Sequence, residues 1–339
     1  MAIPKVLVCF HVRPMCAGLF FREAFRQAGC EVRVAGPATP RVYGRPDGTD
    51  HEFPPEDFVA PDYPVANQPV DASLIVGIAR AHEWEPDLVV MIDQYDPFYL
   101  RNGCDLPLTY VCVENWGALY AERFAESRAD SWYYMIAHSQ EIPFPRPDFE
   151  FLPFGFDPHI HKYLPDVQRD KWACQIGTAY EPRPAVWNHL RAALDGAPPW
   201  SQPQYLTDLA ESSRTLFGRT PSYRGMAEAY NRSLVALSSS NCDFSPMRTC
   251  EAYAMGCLLA SDDVPAIRAV LGPPVSEGGF WLSHDRTAAG HERAVREGVE
   301  AYAELIDRGI AHVYKHHTYR ARAERILARA GLQGAFRAV

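Results

Sequence analysis

The sequence predicts an α/β protein of two domains, each built on a parallel sheet. Three observations carry that prediction. A strand, a loop, a helix and a second strand follow one another within the first 35 residues, which is the βαβ unit of a parallel sheet. Leu234 to Ile267 repeats the pattern, reading as strand, polar loop, helix, Gly, strand and acidic loop. And 339 residues are many for one core but comfortable for two.

Lys5 to Phe10 is an apolar strand, and Gly18 to Ala28 carries Leu19, Phe20, Ala24, Phe25 and Ala28 at helical spacing before Gly29 closes the helix. Glu31 to Ala35 is the next strand. The first loop, His11 to Ala17, lacks the Gly-x-Gly-x-x-Gly of a dinucleotide site, so NAD binding is not expected here. Pro37 to Pro69 holds eight prolines and little periodicity, and its length suits a functional flap better than a plain connection. Asp71 is placed to cap a helix through Ala81. Asp87 to Ile92, Leu108 to Val113 and Trp132 to Ala137 are three further strands, each ending in polar residues. In an open parallel sheet those carboxyl ends face the ligand crevice, which puts Asp93, Glu114 and His138 along one rim.

From Ile142 to Pro165 the pattern dissolves into prolines and aromatic residues, as a hinge would. Lys171 to Ile176 opens the second domain, with Gly177, Thr178 and Ala179 as its loop and Pro184 starting a helix to Leu194. Ser222 to Asn231 is a helix feeding the strand Leu234 to Leu237. Small residues, Ser238 to Asn241, follow it and let a ligand approach the backbone. Pro246 suits a first helical turn, after which Met247, Cys250, Ala254 and Met255 recur at helical spacing until Gly256. Cys257 to Ala260 is a strand that stops at Ser261-Asp262-Asp263. A short helix, a Gly-rich segment with Phe280-Trp281, a long helix from Ala288 to Arg308 and a last helix from Ala311 to Ala330 complete the chain.

A strand, a small-residue loop and a helix N-terminus aim free backbone N–H groups and a positive dipole end at one point, where an anionic ligand such as a phosphate is favoured. Asp243 lies in the loop before that helix. Glu251 lies inside the helix, where it can face back into the cleft and take up ribose hydroxyls, or stand as a solvated helix residue. Arg248, in the first turn, is a cation where the helix dipole alone disfavours one, which points to a phosphate.

The segment MRTCEAYAMGCLLASDDVP resembles the CgeB-like glycosyltransferases of the GT-B fold, related to the retaining family 4 transferases. Asp243 and Glu251 occupy the places of that family's two acidic residues with seven between them, Asp standing where most members have Glu. The stretch His317 to Ala323, HTYRARA, resembles the family's closing helix, and Leu152 to Pro158 resembles its passage between domains. The resemblance implies two Rossmann-like domains facing across a cleft: an acceptor domain over 1–155, a nucleotide-sugar domain over 156–315, and a helix over 316–339 that returns to the first. It implies donor binding by Glu251, Arg248, Met247, Ser245, Arg183, Gly177 and Thr178, with Glu114, Asp93 and Asp243 as candidate catalytic groups. His11, Arg13 and His138 are acceptor-side candidates. Arg or Lys side chains then stabilise the departing nucleoside diphosphate, and the resemblance implies that no metal is needed.

The composition is that of a folded globular protein, 47% hydrophobic and 12% aromatic. With 33 Lys plus Arg against 42 Asp plus Glu, a formal charge of -9 disfavours a general grip on nucleic acid. Nine scattered cysteines, with no Cys-x-x-Cys pair, suit reduced thiols in the cytoplasm. No signal peptide or membrane span is expected. His312 and His316, or His159 and His161, have the spacing of zinc ligands but no third ligand in register, so no metal site is expected. The function expected is transfer of a sugar from a nucleotide sugar to an acceptor hydroxyl, on a polysaccharide, a protein, a small molecule or a modified base. The competing functions are a nucleotide-sugar epimerase or hydrolase of the same fold, and a non-catalytic nucleotide-sugar binder.

Overall fold

Each strand announced by an apolar run is present in a computed structural model of the chain, which describes residues 2–12, 16–37, 59, 69–93, 98–113, 124–135, 148–177, 182–200, 209–218, 223–238 and 245–332. In chain order the elements are β1 (Lys5–Cys9), α1 (Ala17–Gln27), β2 (Glu31–Ala35), β3 (Pro69–Asp71), α2 (Ala72–Ala81), β4 (Leu88–Asp93), β5 (Tyr99–Arg101), β6 (Leu108–Cys112), β7 (Ser131–Tyr134) and β8 (Phe149–Phe151). There follow β9 (Lys171–Ile176), α3 (Arg183–Asp195), β10 (Ala210–Glu211), β11 (Thr215–Gly218), α4 (Tyr223–Asn231), β12 (Ser233–Ser238), α5 (Arg248–Ala254) and β13 (Leu258–Asp262). The last are α6 (Pro265–Leu271), β14 (Leu282–His284), α7 (Ala288–His316) and α8 (Tyr319–Arg329). The described residues divide into two units. One takes those up to Pro153 together with those from Tyr319 on, and the other takes those from Phe154 to Thr318.

The first unit holds a sheet in the order β2-β1-β4-β6-β7-β8, parallel throughout, and a separate pair, β3-β5. Its central strands are apolar along their whole length because helices cover a parallel sheet on both faces. Leu7, Val89, Met91, Tyr110 and Trp132 are buried in one cluster, with the Tyr110 and Trp132 rings stacked at 4.8 Å. The closing helix α8 belongs to this unit and packs on α1: Tyr319 stacks on Phe20 at 4.9 Å and meets Phe21 edge-on at 5.3 Å. Asp71 does not cap α2 through its side chain. It is turned instead to Arg101 Nε, 3.0 Å away, and to the Asn102 amide, a stronger competitor than one backbone N–H.

The second unit holds the order β10-β11-β9-β12-β13-β14, parallel except for β10. Its long helix differs from the expected pair of helices. The sequence reading stops at Arg308, in front of Gly309, whereas α7 runs on through Gly309 to His316. Gly309 is there for packing: a Cβ at that position would run into the Tyr253 ring, and one at Gly298 would run into Val235 and Leu282. The helix ends at His317, whose carbonyl accepts the Phe156 N–H at 3.0 Å, so the chain leaving this unit pairs with the chain entering it. Among the described residues no helix is long and apolar enough to cross a membrane.

Candidate active site

The carboxyl ends of β9, β11, β12 and β13 lie side by side, and the turn after β9 is where charge collects. Gly177 has φ of 143°, a conformation that side-chain-bearing residues avoid, and its N–H donates to the Gly218 carbonyl at 2.7 Å. A Cβ built there would sit 3.2 Å from Arg183 Nη1 and 3.2 Å from Arg248 Nη2. The two nitrogens are therefore at most twice that distance apart. At the effective dielectric of a protein site, two like charges so placed repel by roughly 2–3 kcal/mol, a cost that an anion between them reverses. Arg183 opens α3 and is 3% exposed, and Arg248 opens α5. Arg248 Nη1 is buried and, among the described residues, finds no hydrogen-bond acceptor.

Glu251 follows one turn into α5, 6% exposed, so it is not the solvated helix residue that spacing alone allowed. Its Oε1 lies 3.2 Å from Nε2 of His161, a fully buried imidazole on the segment that enters this unit. The Ser245 hydroxyl donates to Thr249 Oγ1 at 3.1 Å, closing the start of the helix, and Met247 is the half-buried residue just before it.

Beside them, at the ends of β13 and β14, Asp262 is 1% exposed, with His284 Nδ1 at 3.3 Å and Arg286 Nε at 3.2 Å. The His284 and His291 rings are 3.8 Å apart. Burial, and then His291 beside it, lowers the pKa of His284 to about 3; burial also lowers that of His291. Both imidazoles are thus neutral at ordinary pH. The sequence reading names neither, nor His161 as a partner of Glu251. His284 has a signal of its own, closing an apolar run at a strand's carboxyl end, but His161 has none.

Of the other expected residues, Asp93 is not on an exposed rim. It is fully buried and accepts a hydrogen bond from the Tyr110 hydroxyl at 2.8 Å, because β4 is central and its last residue lies beneath the aromatic layer. His11 is half-buried after β1 in the first unit. Glu114, Asp243, Thr178, Arg13 and His138 lie outside the described residues. His312 Nε2 lies 3.0 Å from the Val270 carbonyl and 3.2 Å from His317 Nε2, and among the described residues no three His, Cys, Asp or Glu side chains are set to hold a metal.

Residues 182–328 match the family model described as glycosyl transferase-like, a segment that contains Arg183, Arg248, Glu251 and His284. The comparison with curated proteins gives no match. Among solved structures the chain is similar to a glycosyltransferase from Rickettsia africae, at 8% identity and TM-score 0.58 over 99% of this chain and 100% of that one. It is similar to HepE of Anabaena, solved with UDP and glucose, at 13% identity and TM-score 0.57 over 97% and 99%. Sucrose-phosphate synthase of Thermosynechococcus elongatus matches at 12% and 0.57 over 95% and 97%. The matched segment, 147 of the 339 residues, is glycosyl transferase-like in sequence. The solved structures, at such identities, add the fold, which is GT-B.

Proposed function

We propose that the protein transfers a sugar from a nucleotide-sugar donor to an acceptor hydroxyl, with retention of configuration and without a metal ion. The observation that carries this is the meeting of Arg183 and Arg248 at Gly177. When the bond from the anomeric carbon to the diphosphate breaks, the electron pair leaves on a phosphate oxygen, and fixed guanidinium groups stabilise the growing charge without reorganising. Glu251, one turn from Arg248, then accepts from the ribose hydroxyls. Retention, and the relation to the CgeB-like enzymes, rest on the resemblance of the Met247 to Pro265 segment to that retaining group. HepE, solved with UDP and glucose, shares the fold and supports a nucleotide donor. A cytoplasmic location belongs to the same proposal, supported by free thiols at all eight cysteines among the described residues.

The test is calorimetric titration with UDP, GDP, ADP and dTDP in EDTA, on the protein as it is and on Glu251→Ala. One nucleotide should bind without metal, and Glu251→Ala should weaken it by about 1–3 kcal/mol through loss of a charged hydrogen bond. Binding that appears only with added manganese overturns the metal-free reading.

A further inference from the structure

We propose that His161 is a positioning residue for the transfer reaction, holding one oxygen of Glu251 so that the other is presented to the donor's ribose. The inference rests on the reading of Glu251 as the ribose ligand. It starts from a five-residue turn, Asp157-Pro158-His159-Ile160-His161. The Asp157 carboxylate accepts the His159 N–H at 2.8 Å, and the Asp157 carbonyl accepts the N–H groups of Ile160 at 3.1 Å and His161 at 2.7 Å. So folded, the chain returns the imidazole onto the backbone of Asp157, whose N–H donates to Nδ1 at 3.0 Å.

Nδ1 also lies 3.2 Å from the Asp157 carbonyl oxygen, which would accept from it in the other tautomer. With the Asp157 N–H donating to Nδ1 instead, the ring proton sits on Nε2, the tautomer that the positioning role requires. Nε2 is the atom 3.2 Å from Glu251 Oε1. The side chains of His161 and Glu251 are 0% and 8% exposed, so the contact lies away from bulk solvent. A buried carboxylate without a donor is costly, and a proton delivered from Nε2 to one oxygen would both satisfy and aim it. His161 lies outside the segment that matches the transferase family model, so the match itself gives it no role.

The experiment is a double-mutant cycle read by calorimetry with the tightest-binding of UDP, GDP, ADP and dTDP, joined to donor kinetics. His161→Phe keeps a ring but no donor, and should weaken nucleotide binding about tenfold, raising the donor KM more than it lowers kcat. His161→Gln, whose amide nitrogen can stand near the place of Nε2, should recover most of that loss. In a Glu251→Gln background His161→Phe should add little, because the group it positions is already changed. If Glu251→Gln weakens binding while His161→Phe alone binds normally, the positioning role is wrong and the reading of Glu251 stands. If Glu251→Gln binds normally, that reading fails and takes the inference with it. Should His161→Phe not fold, nitrogen NMR of the unaltered protein decides: a proton on Nδ1 rather than Nε2 overturns the proposal.

Discussion

Arg183 and Arg248 stand 65 residues apart in the chain and share one glycine as their meeting point. Removing the charge of either should leave the other unopposed, so the losses need not add. Arg248→Gln should weaken nucleoside diphosphate binding by about 1–3 kcal/mol, with little change in thermal stability because repulsion is relieved as a partner for the ligand is lost. Titration with UDP, GDP, ADP and dTDP beside a melting curve checks both. For Glu114, a candidate catalytic group by the family resemblance, Glu114→Gln should lower turnover by roughly 10²-fold and leave nucleotide affinity nearly intact, as separate kinetic and binding measurements would show. At this scale the sequence was a partial guide. Gly177, Arg183, Arg248 and Glu251 were named because a strand end and a helix start confine them. The contact of His161 with Glu251 was not legible, since its 90-residue separation is closed by tertiary packing that no local spacing records. Asp93 was misread because a polar residue at a strand's end looks the same whether it meets solvent or a buried tyrosine.

Helix α7 shows the same limit among elements. Gly309 reads as a stop, yet helical backbone passes through it because the Tyr253 ring occupies the place of its side chain. Gly309→Ala should improve helix propensity by about 1 kcal/mol and lose more than that to overpacking, for a net destabilisation of about 1–2 kcal/mol in denaturant titration. The strands that were legible, such as β4 and β6, are five- or six-residue apolar runs buried throughout. Those that were missed, β3, β5, β8, β10, β11 and β14, have two to four residues. Such lengths are too short for a period to show, and these strands are defined by the neighbour they pair with.

For the whole molecule, the neutral histidines His284, at the end of β14, and His291, in the first turn of α7, set a response to acid. His284 has a folded pKa of about 3, well below the ordinary histidine value near 6.5, so between those limits the unfolded chain binds the extra proton. Stability is fully present above pH 6.5 and falls as pH drops through the window, by up to about 1.4 kcal/mol per pH unit from this residue. His291 adds to the slope, while Asp262 and Asp285 oppose it and Arg286 reinforces it. Melting temperatures between pH 7 and pH 4 should show the decline, and His284→Gln should flatten it. A final consequence concerns the order in which the protein is made. Phe20 and Phe21 precede Tyr319, the ring that covers them, by about 300 residues of chain. While that intervening chain is being made, the aromatic face of α1 lacks this cover, an opening for chaperones and a hazard in crowded synthesis. Only the arrival of α8 lets that face close.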